Sequence, residues 1–321
     1  MRNVNLIKLE YLSLVSARSV DEMPTNTRNV AKTYTTGSVV SKDGTAIGYR
    51  QLGSGPGIIL LHGGANASQS YSKLGTALSD TFTVYISDRR GRGLSGPFGD
   101  NYGMHKEIED LDTLVAKTGA HNVFGLSSGG LIALQAALDM PSIHKAVINE
   151  PPLDVDNAIM TMLQSFMPRF DREIAEGKVA EATVTLLKDF GALFLPGSLQ
   201  PVVTIAPRSV LVWLCRQILR RDAEKVTGDD MPLEALISTF HFDYQLVAEM
   251  QGTLKSFEAV PADVLLLGAS KSPAFLKHTL DALEEVIPHV HRIELQGLSH
   301  GAALDGGKPA TVAHELRRFF L

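Results

Sequence analysis

Short runs of apolar residues, each ending in glycine or a polar residue, recur along the chain and predict β-strands. Two strands are predicted within residues 37–53, on either side of a turn at Asp43-Gly44. Six further runs follow, at residues 57–61, 82–87, 122–125, 145–149, 264–268 and 291–295. Because these six runs are apolar on both faces, they are typical of a parallel sheet that helices cover on both sides.

Helical patterns alternate with the predicted strands. Residues 129–140 read GGLIALQAALDM and stop before Pro141, and residues 310–320 close the chain with a second helical pattern. Strands that alternate with helices imply right-handed crossovers between parallel strands. The sequence therefore predicts an α/β fold with a doubly wound, mostly parallel sheet.

The alternation of strands and helices breaks once, between residues 152 and 259. This segment is rich in Met, Leu and Phe at helical spacing and contains no run with the features of a strand. It predicts a helical cap, or lid, inserted into a core made of residues 35–151 and 260–321. Met162 and Phe166, near the start of this segment, are the expected determinants of specificity.

Residues 1–34 show neither the two-residue period of a strand nor the 3.6-residue period of a helix, and we interpret them as an N-terminal tail. A tail of this kind is expected to contribute little to the core. The alternative is that it packs on a neighbouring subunit of a homo-oligomer. The side chains that would suit such packing are Leu6, Ile7, Leu9 and Tyr11.

Composition narrows the class of protein. Of the 321 residues, 44% are hydrophobic and 20% are charged, and the formal net charge of -5 gives no large basic surface for nucleic acid. Cys215 is the single cysteine, which rules out an internal disulfide and fits a reducing compartment. Lys8 and Glu10 interrupt a leucine-rich run behind Arg2, which argues against a secretory signal, and no stretch is apolar enough to span a membrane. We therefore expect a cytoplasmic protein with no membrane partner.

A candidate nucleophile lies in residues 125–129, which read Gly-Leu-Ser-Ser-Gly and match the pattern G-x-S-x-G. In a chain with 28 glycines the pattern alone is weak evidence, so its context decides. An apolar strand precedes it and a helix of small and apolar residues follows, as a strained strand-to-helix turn requires. The context selects Ser127 as the nucleophile, with the backbone N–H of Ser128 facing a developing oxyanion. The alternative is that Ser127 is an ordinary turn serine.

The same pattern occurs a second time, at residues 297–301. Gly306, Gly307 and Pro309 prevent a long helix from following this serine directly. His314 would be the histidine left downstream as its base, and it belongs to the terminal helix. Ser299 is therefore the weaker candidate.

The oxyanion donor and the general base follow from their places beside strands. His62, Gly63 and Gly64 come directly after a predicted strand, and a glycine pair there permits a turn whose backbone N–H points at the oxyanion. Gly64 is the preferred donor, with Gly63 as the alternative; an ordinary glycine turn is the other interpretation. His62 is interpreted as a residue that fixes the loop.

His300 is selected as the base because it lies in the loop after the last predicted strand. His289 and His291 lie at or before the start of that strand, and His314 lies on the following helix. An imidazole is needed because a serine hydroxyl is a weak nucleophile until a base takes its proton. The alternative for His300 is a buried structural histidine.

Together these motifs resemble the α/β-hydrolase superfamily: HGG at 62–64, DRRGRGLS at 88–95, GLSSGG at 125–130 and GLSH at 297–300. The resemblance covers roughly residue 37 to the end of the chain, apart from the lid. The second motif matches the family segment Asp-x-Arg-Gly-x-Gly-x-Ser, for which the resemblance implies a structural role. Asp88 is a poor triad acid because it precedes the nucleophile.

The resemblance also shows one departure, at the acid of the triad. Many members place an aspartate after the seventh strand, where this chain has Lys271 and no acid before Asp281. Certain haloalkane dehalogenases and zearalenone-type lactone hydrolases place a glutamate after the sixth strand, and Glu150 occupies that place here. Dehalogenases and epoxide hydrolases use an aspartate nucleophile, so Ser127 excludes their chemistry. Weaker candidates for the acid are Asp154, Asp156 and Asp305.

The sequence therefore predicts acyl transfer to water, with Ser127 as nucleophile, His300 as base and Glu150 as the acid that orients the imidazole. The N–H groups of Ser128 and Gly64 would hold the oxyanion. The expected substrate is a small carboxylic ester or lactone with an apolar body, because the lid is rich in apolar side chains. No cofactor or metal is implied. The alternatives are an acyltransferase, a ligand-binding receptor, or a cofactor-free lyase or oxygenase on the same fold.

Overall fold

The central feature of the protein, seen in a computed structural model that describes residues 34–191 and 200–321, is an eight-stranded sheet. The strand order is β1-β2-β4-β3-β5-β6-β7-β8. The strands are β1 (Thr35–Val40), β2 (Ala46–Leu52), β3 (Gly57–Leu61), β4 (Thr83–Ser87), β5 (Asn122–Leu126), β6 (Lys145–Asn149), β7 (Asp263–Ala269) and β8 (Val290–Leu295).

The sheet is mostly parallel. β1 and β2 form an antiparallel hairpin, and β2 pairs antiparallel with β4, whereas all pairs from β4 through β3 to β8 are parallel. The predicted doubly wound α/β sheet is confirmed. Each of the strands β3 to β8 begins and ends within one residue of the apolar run that predicted it. The antiparallel edge follows from the Asp43-Gly44 turn, since a tight turn can join only antiparallel strands.

Helices cover both faces of the sheet, as strands apolar on both sides require. Two helices pack on one face, α1 (Ser72–Leu78) and α11 (Pro309–Phe320). The opposite face carries α2 (Met104–Thr118), α3 (Ser128–Asp139) and α10 (Ala274–Val286). The sequence analysis identified only α3 and α11, because the other three carry less continuous apolar patterns.

Between β6 and β7 the described residues form helices and no strand. We call residues 152–191 and 200–259 the cap. Its helices are α4 (Ala158–Ala175), α5 (Val179–Asp189), α6 (Gln200–Ile205), α7 (Arg208–Ala223), α8 (Leu233–Ser238) and α9 (Phe240–Glu249). The insertion lies where the strand–helix alternation breaks; that it acts as a lid and sets specificity stays a prediction.

The predicted tail falls almost wholly on residues 1–33, which lie outside the described residues; β1 begins at Thr35. Within residues 34–191 and 200–321, no helix has the length and apolar character needed to cross a membrane.

Strand register brings the predicted site residues to one edge of the sheet. Leu61 at the end of β3 is opposite Gly125, and Leu126 at the end of β5 is opposite Asn149 at the end of β6. Because parallel strands point the same way, the loops that follow them meet at their carboxyl ends. The HGG turn, Ser127 and Glu150 therefore emerge side by side.

Candidate active site

Ser127 occupies the turn between β5 and α3. Its backbone has φ 56° and ψ -123°, a strained conformation for a residue with a side chain, and its N–H donates to the Asn149 carbonyl at 2.9 Å. The turn is crowded, since a Cβ on Gly125 would lie 2.0 Å from the Gly129 carbonyl oxygen and one on Gly129 2.4 Å from the Leu61 carbonyl oxygen. Ser127 is half-buried between fully buried neighbours, so the turn presents its side chain at the sheet edge.

Ser299, the rival serine, has a different setting. Its backbone is extended, with φ -125° and ψ 175°, and only the four-residue 3-10 helix His300–Ala303 follows it. The strain and the long following helix that distinguish Ser127 are both missing at Ser299. The structure thus gives the geometry of a nucleophile turn to the first of the two G-x-S-x-G matches.

Glu150 and His300 are in direct contact. The Nδ1 atom of His300 lies 2.7 Å from Glu150 Oε2, and the Glu150 side chain is fully buried while that of His300 is 16% exposed. Glu150 follows β6 directly, and the N–H of Ala269 at the end of β7 donates to its Oε1 at 2.7 Å. An ionised carboxylate can only accept, so Nδ1 carries the proton and Nε2 is left as the basic nitrogen of a neutral imidazole.

The other acidic candidates bind backbone groups elsewhere. Asp154 accepts from the N–H groups of Ile159 and Met160, both at 3.2 Å, and so caps the start of α4. Asp156 accepts from the Ala158 N–H at 3.0 Å. Both aspartates therefore stabilise the backbone at the start of the cap.

Asp88 and Asp305 are held in loops. Asp88 is buried and accepts from the N–H groups of Ser68 at 2.6 Å and Leu94 at 3.0 Å, as the structural role implied by the family segment requires. Asp305 accepts from the Lys73 N–H at 2.8 Å, and burial raises its pKa to about 7. Among these acids of the described chain, Glu150 is the one that touches His300.

The HGG turn packs against the nucleophile. A Cβ on Gly63 would lie 3.0 Å from the Cβ of Ser127, so a side chain at this position would crowd the nucleophile. His62 is fully buried; its Nε2 accepts from the Arg89 N–H at 3.1 Å, which leaves Nδ1 to donate to the Gly63 carbonyl at 3.0 Å. Burial, reinforced by the charges of Arg92 and Arg89, holds the pKa of His62 well below its ordinary value. His62 therefore fixes the loop as a neutral residue.

A buried ion cluster beneath this turn was not singled out in the sequence analysis. Asp243 of the cap helix α9 accepts from Arg89 Nη1 at 2.9 Å, from Arg92 Nη2 at 2.6 Å and from Ser128 Oγ at 2.7 Å. Burial raises the pKa of Asp243, but the charges of Arg92 and Arg89 outweigh it and hold the pKa below its ordinary value. Both arginines stood in the DRRGRGLS motif, whereas nothing in the local sequence marks Asp243.

One pocket joins these groups. It has a volume of about 150 Å³, and Ser127, Ser128, Gly63, Gly64 and His300 all line it. The cap supplies apolar walls, with Ile159, Leu163, Leu186, Leu187, Phe190, Phe240 and Val247. The structure corrects one expectation, because Met162 and Phe166 do not line the pocket and Leu163, between them in sequence, does. On α4 the face that turns inward toward the site is set by helical phase rather than by side-chain size.

Comparison with known proteins shows the family to which the chain belongs. The family model of the alpha/beta hydrolase fold matches residues 56–307, and the chain belongs to this family. An alpha/beta hydrolase from Sphaerobacter thermophilus has a similar structure, with a TM-score of 0.69 and 28% identity over 89% of this chain and 100% of that one.

Two relatives are similar over shorter stretches. An uncharacterised hydrolase, YraK, of Bacillus subtilis is 33% identical over 115 residues, which are 34% of this chain and 42% of the relative. A pimeloyl-[acyl-carrier protein] methyl ester esterase of Shewanella oneidensis is 34% identical over 98 residues, 30% of this chain and 35% of the relative. The chain thus covers less than half the length of each of these relatives.

Proposed function

We propose that the protein is a serine hydrolase that cleaves a small carboxylic ester or lactone with an apolar body through an acyl-enzyme on Ser127. The observation that carries this proposal is the 2.7 Å contact between His300 and Glu150 at a pocket that Ser127 also lines. A nucleophile on a strained turn, a base and a buried acid are the three groups that acyl transfer needs. The ester specificity of the Shewanella relative is consistent with it.

The reaction proceeds in two halves. Ser127 Oγ attacks the carbonyl carbon while His300 Nε2 takes its proton, and Glu150 stabilises the resulting imidazolium. The N–H groups of Ser128 and Gly64 hold the tetrahedral oxyanion until it collapses. The C–O bond breaks, His300 returns the proton to the departing alkoxide, and the acyl group stays on Ser127.

Water then attacks the acyl-enzyme with His300 as base, and the carboxylic acid leaves as Ser127 is regenerated. A second alcohol in place of water would make the protein an acyltransferase, and the predicted receptor would use the same pocket without bond cleavage. The apolar walls of the pocket support a substrate whose acyl side is a hydrocarbon group. A comparable apolar cavity of about 150 Å³ holds a benzene molecule, which sets the scale of that group.

A fluorophosphonate probe tests the proposal. We expect a covalent adduct on Ser127, located by peptide mass spectrometry, and hydrolysis of short p-nitrophenyl esters with an initial burst of p-nitrophenol. Ser299→Ala is the control, and it should be labelled like the wild type. A folded wild type that neither reacts with the probe nor turns over any ester would favour the receptor instead.

Leu163 should set the preferred length of the acyl group. It lies on α4, is buried and lines the pocket. Leu163→Ala enlarges the pocket, so kcat/KM for p-nitrophenyl esters of longer acids should rise about 3- to 10-fold relative to the acetate ester. Leu163→Phe should reverse the preference.

Phe166→Ala is the matched control for the Leu163 variants. Phe166 is a buried side chain on the same helix that does not line the pocket. Its loss should lower the melting temperature and leave the ranking of the esters unchanged. Equal changes across the whole ester panel for the Leu163 variants would mean that the cap has a structural role alone.

A further inference from the structure

Asp243 is a buried carboxylate of the cap that binds side chains of the core. This residue lies on α9, whereas all three side chains that donate to it belong to the core: Ser128, Arg89 and Arg92. Its side chain is 4% exposed and those of the two arginines at most 1%. Arg92 also donates to Thr239 Oγ1 at 3.0 Å, at the residue before α9. The start of α9 is therefore fastened to the segment that follows β4.

The same cluster contacts both turns that carry the predicted oxyanion donors, the turn between β5 and α3 with Ser128 and the HGG turn with Gly64. On one side, Arg89 Nη1 donates at 3.1 Å to the hydroxyl of Ser128, which in turn donates to Asp243. On the other side, Arg89 Nη1 donates at 3.3 Å to the His62 carbonyl, and its backbone N–H donates to the imidazole of His62. A Cβ on Gly64 would lie 3.2 Å from the Asp243 carboxyl carbon. Asp243 thus stands between Ser128 and Gly64.

Arg89 can be buried beside these turns because two buried carboxylates, Asp243 and Glu107, balance its charge. Glu107 Oε1 accepts from Arg89 Nε at 3.0 Å and Nη2 at 2.9 Å, so the guanidinium is fixed on its far side by a second buried carboxylate. Buried ion pairs are weak evidence for added stability, because desolvation opposes their attraction. Their directional bonds do fix geometry, and here those of Arg89 reach both the HGG turn and Ser128.

We propose that Asp243 is a positioning residue that, through Arg89 and Ser128, sets the two backbone N–H groups for the oxyanion. This inference rests on the proposed function. Preorganised donors lower the barrier only if they already point at the place where charge develops. The oxyanion site is complete only while α9 is seated on the core, so the cap takes part in assembling the chemistry as well as the binding pocket.

Two variants test this inference at different points. Asp243→Asn removes the charge that holds both arginines, and we expect kcat to fall about 10- to 100-fold with KM within about threefold. Ser128→Ala removes one hydroxyl and keeps the backbone N–H and both ion pairs; kcat should fall about 3- to 10-fold. In the double variant the loss should be smaller than the product of the single losses, because both act through one link.

Asp110→Asn is the matched control. Asp110 accepts from Arg90 Nε at 2.7 Å and Nη2 at 2.5 Å, so Arg90, next to Arg89 in sequence, forms a similar buried pair. Within the described residues no hydrogen bond joins this pair to the HGG turn or to Ser128. The Asp110→Asn variant should lower the melting temperature about as much as Asp243→Asn does, and its kcat should stay within about threefold of wild type. A structural role for Asp243 would give the two variants the same kinetics.

The inference is overturned if Asp243→Asn loses no more kcat than Asp110→Asn, or if its whole loss appears in KM. Should Asp243→Asn fail to fold, Ser128→Ala decides, and unchanged kcat in that variant overturns the inference. Failure of the proposed function looks different, because the wild type itself would then neither react with a fluorophosphonate nor hydrolyse esters.

Discussion

Replacing Ser127 by alanine is expected to lower kcat by roughly five to six orders of magnitude. The hydroxyl is the group that forms the acyl-enzyme. The neighbouring hydroxyl of Ser128 is buried and hydrogen-bonded to Arg89 and Asp243, so it should not replace it. The fold should survive, because one half-buried hydroxyl contributes little to packing and alanine keeps the same backbone strain at φ 56°. Single-turnover kinetics with a p-nitrophenyl ester and a melting curve measure both effects.

Ser299→Ala serves as the control for this prediction, since Ser299 is the second serine in a G-x-S-x-G pattern and lies one residue before His300. Its activity should stay within about threefold of wild type. If Ser127→Ala kept full activity while Ser299→Ala lost it, the assignment of the nucleophile would be wrong and the strained turn would have another purpose.

Glu150→Gln is expected to lower kcat by about two to four orders of magnitude with little change in KM. The two carboxylate oxygens accept from different donors, Ala269 N–H and His300 Nδ1–H. A glutamine has one oxygen, so its NH₂ group must face one of these donors. If it faces His300, the imidazole adopts the other tautomer and Nε2 can no longer take the serine proton.

Glu150→Asp should recover part of the loss, because the charge is retained at a shorter reach. The control is Asp305→Asn, which keeps an oxygen for the Lys73 N–H and should cost much less activity. The measurement is kcat and KM for one ester across the three variants. Activity of Glu150→Gln within about threefold of wild type would move the search to Asp154 and Asp156, or to a serine–histidine dyad.

The sequence was most informative where a residue's role depends on its immediate neighbours. Strands of the parallel sheet are buried on both faces, so they are recognisable as apolar runs, and Ser127 and Glu150 were found because each directly follows one of them. The contact between Glu150 and His300 joins residues 150 positions apart. The place of His300 after the last strand predicted the base, and the resemblance to family members with a glutamate after the sixth strand predicted its acidic partner.

The sequence did not predict the contacts that depend on how the helices pack. Asp243 lies 115 residues from Ser128 and 154 from Arg89, and the pattern of α9 gives no reason to expect an acid in the core. Leu163 was missed for a related reason, since composition suggested an apolar lining without indicating which face of α4 turns toward the pocket. Tertiary packing decides both, and single-sequence periodicity does not encode it.

The position of the cap, between β6 and β7, also affects how easily its length and sequence can change among relatives. The chain leaves β6 at its carboxyl end and returns at the amino end of the adjacent β7, a connection that needs only about a dozen residues. Lengthening it to roughly 110 residues adds only about 2 kcal/mol of loop-closure entropy, so evolution can enlarge, shorten or exchange this crossover at small cost to the sheet. Glu150 is the first residue of the crossover and Ala269 is the last residue of β7; they hydrogen-bond to each other and would keep their places through such an exchange. A transplanted cap would have to bring along one acidic side chain in the place of Asp243.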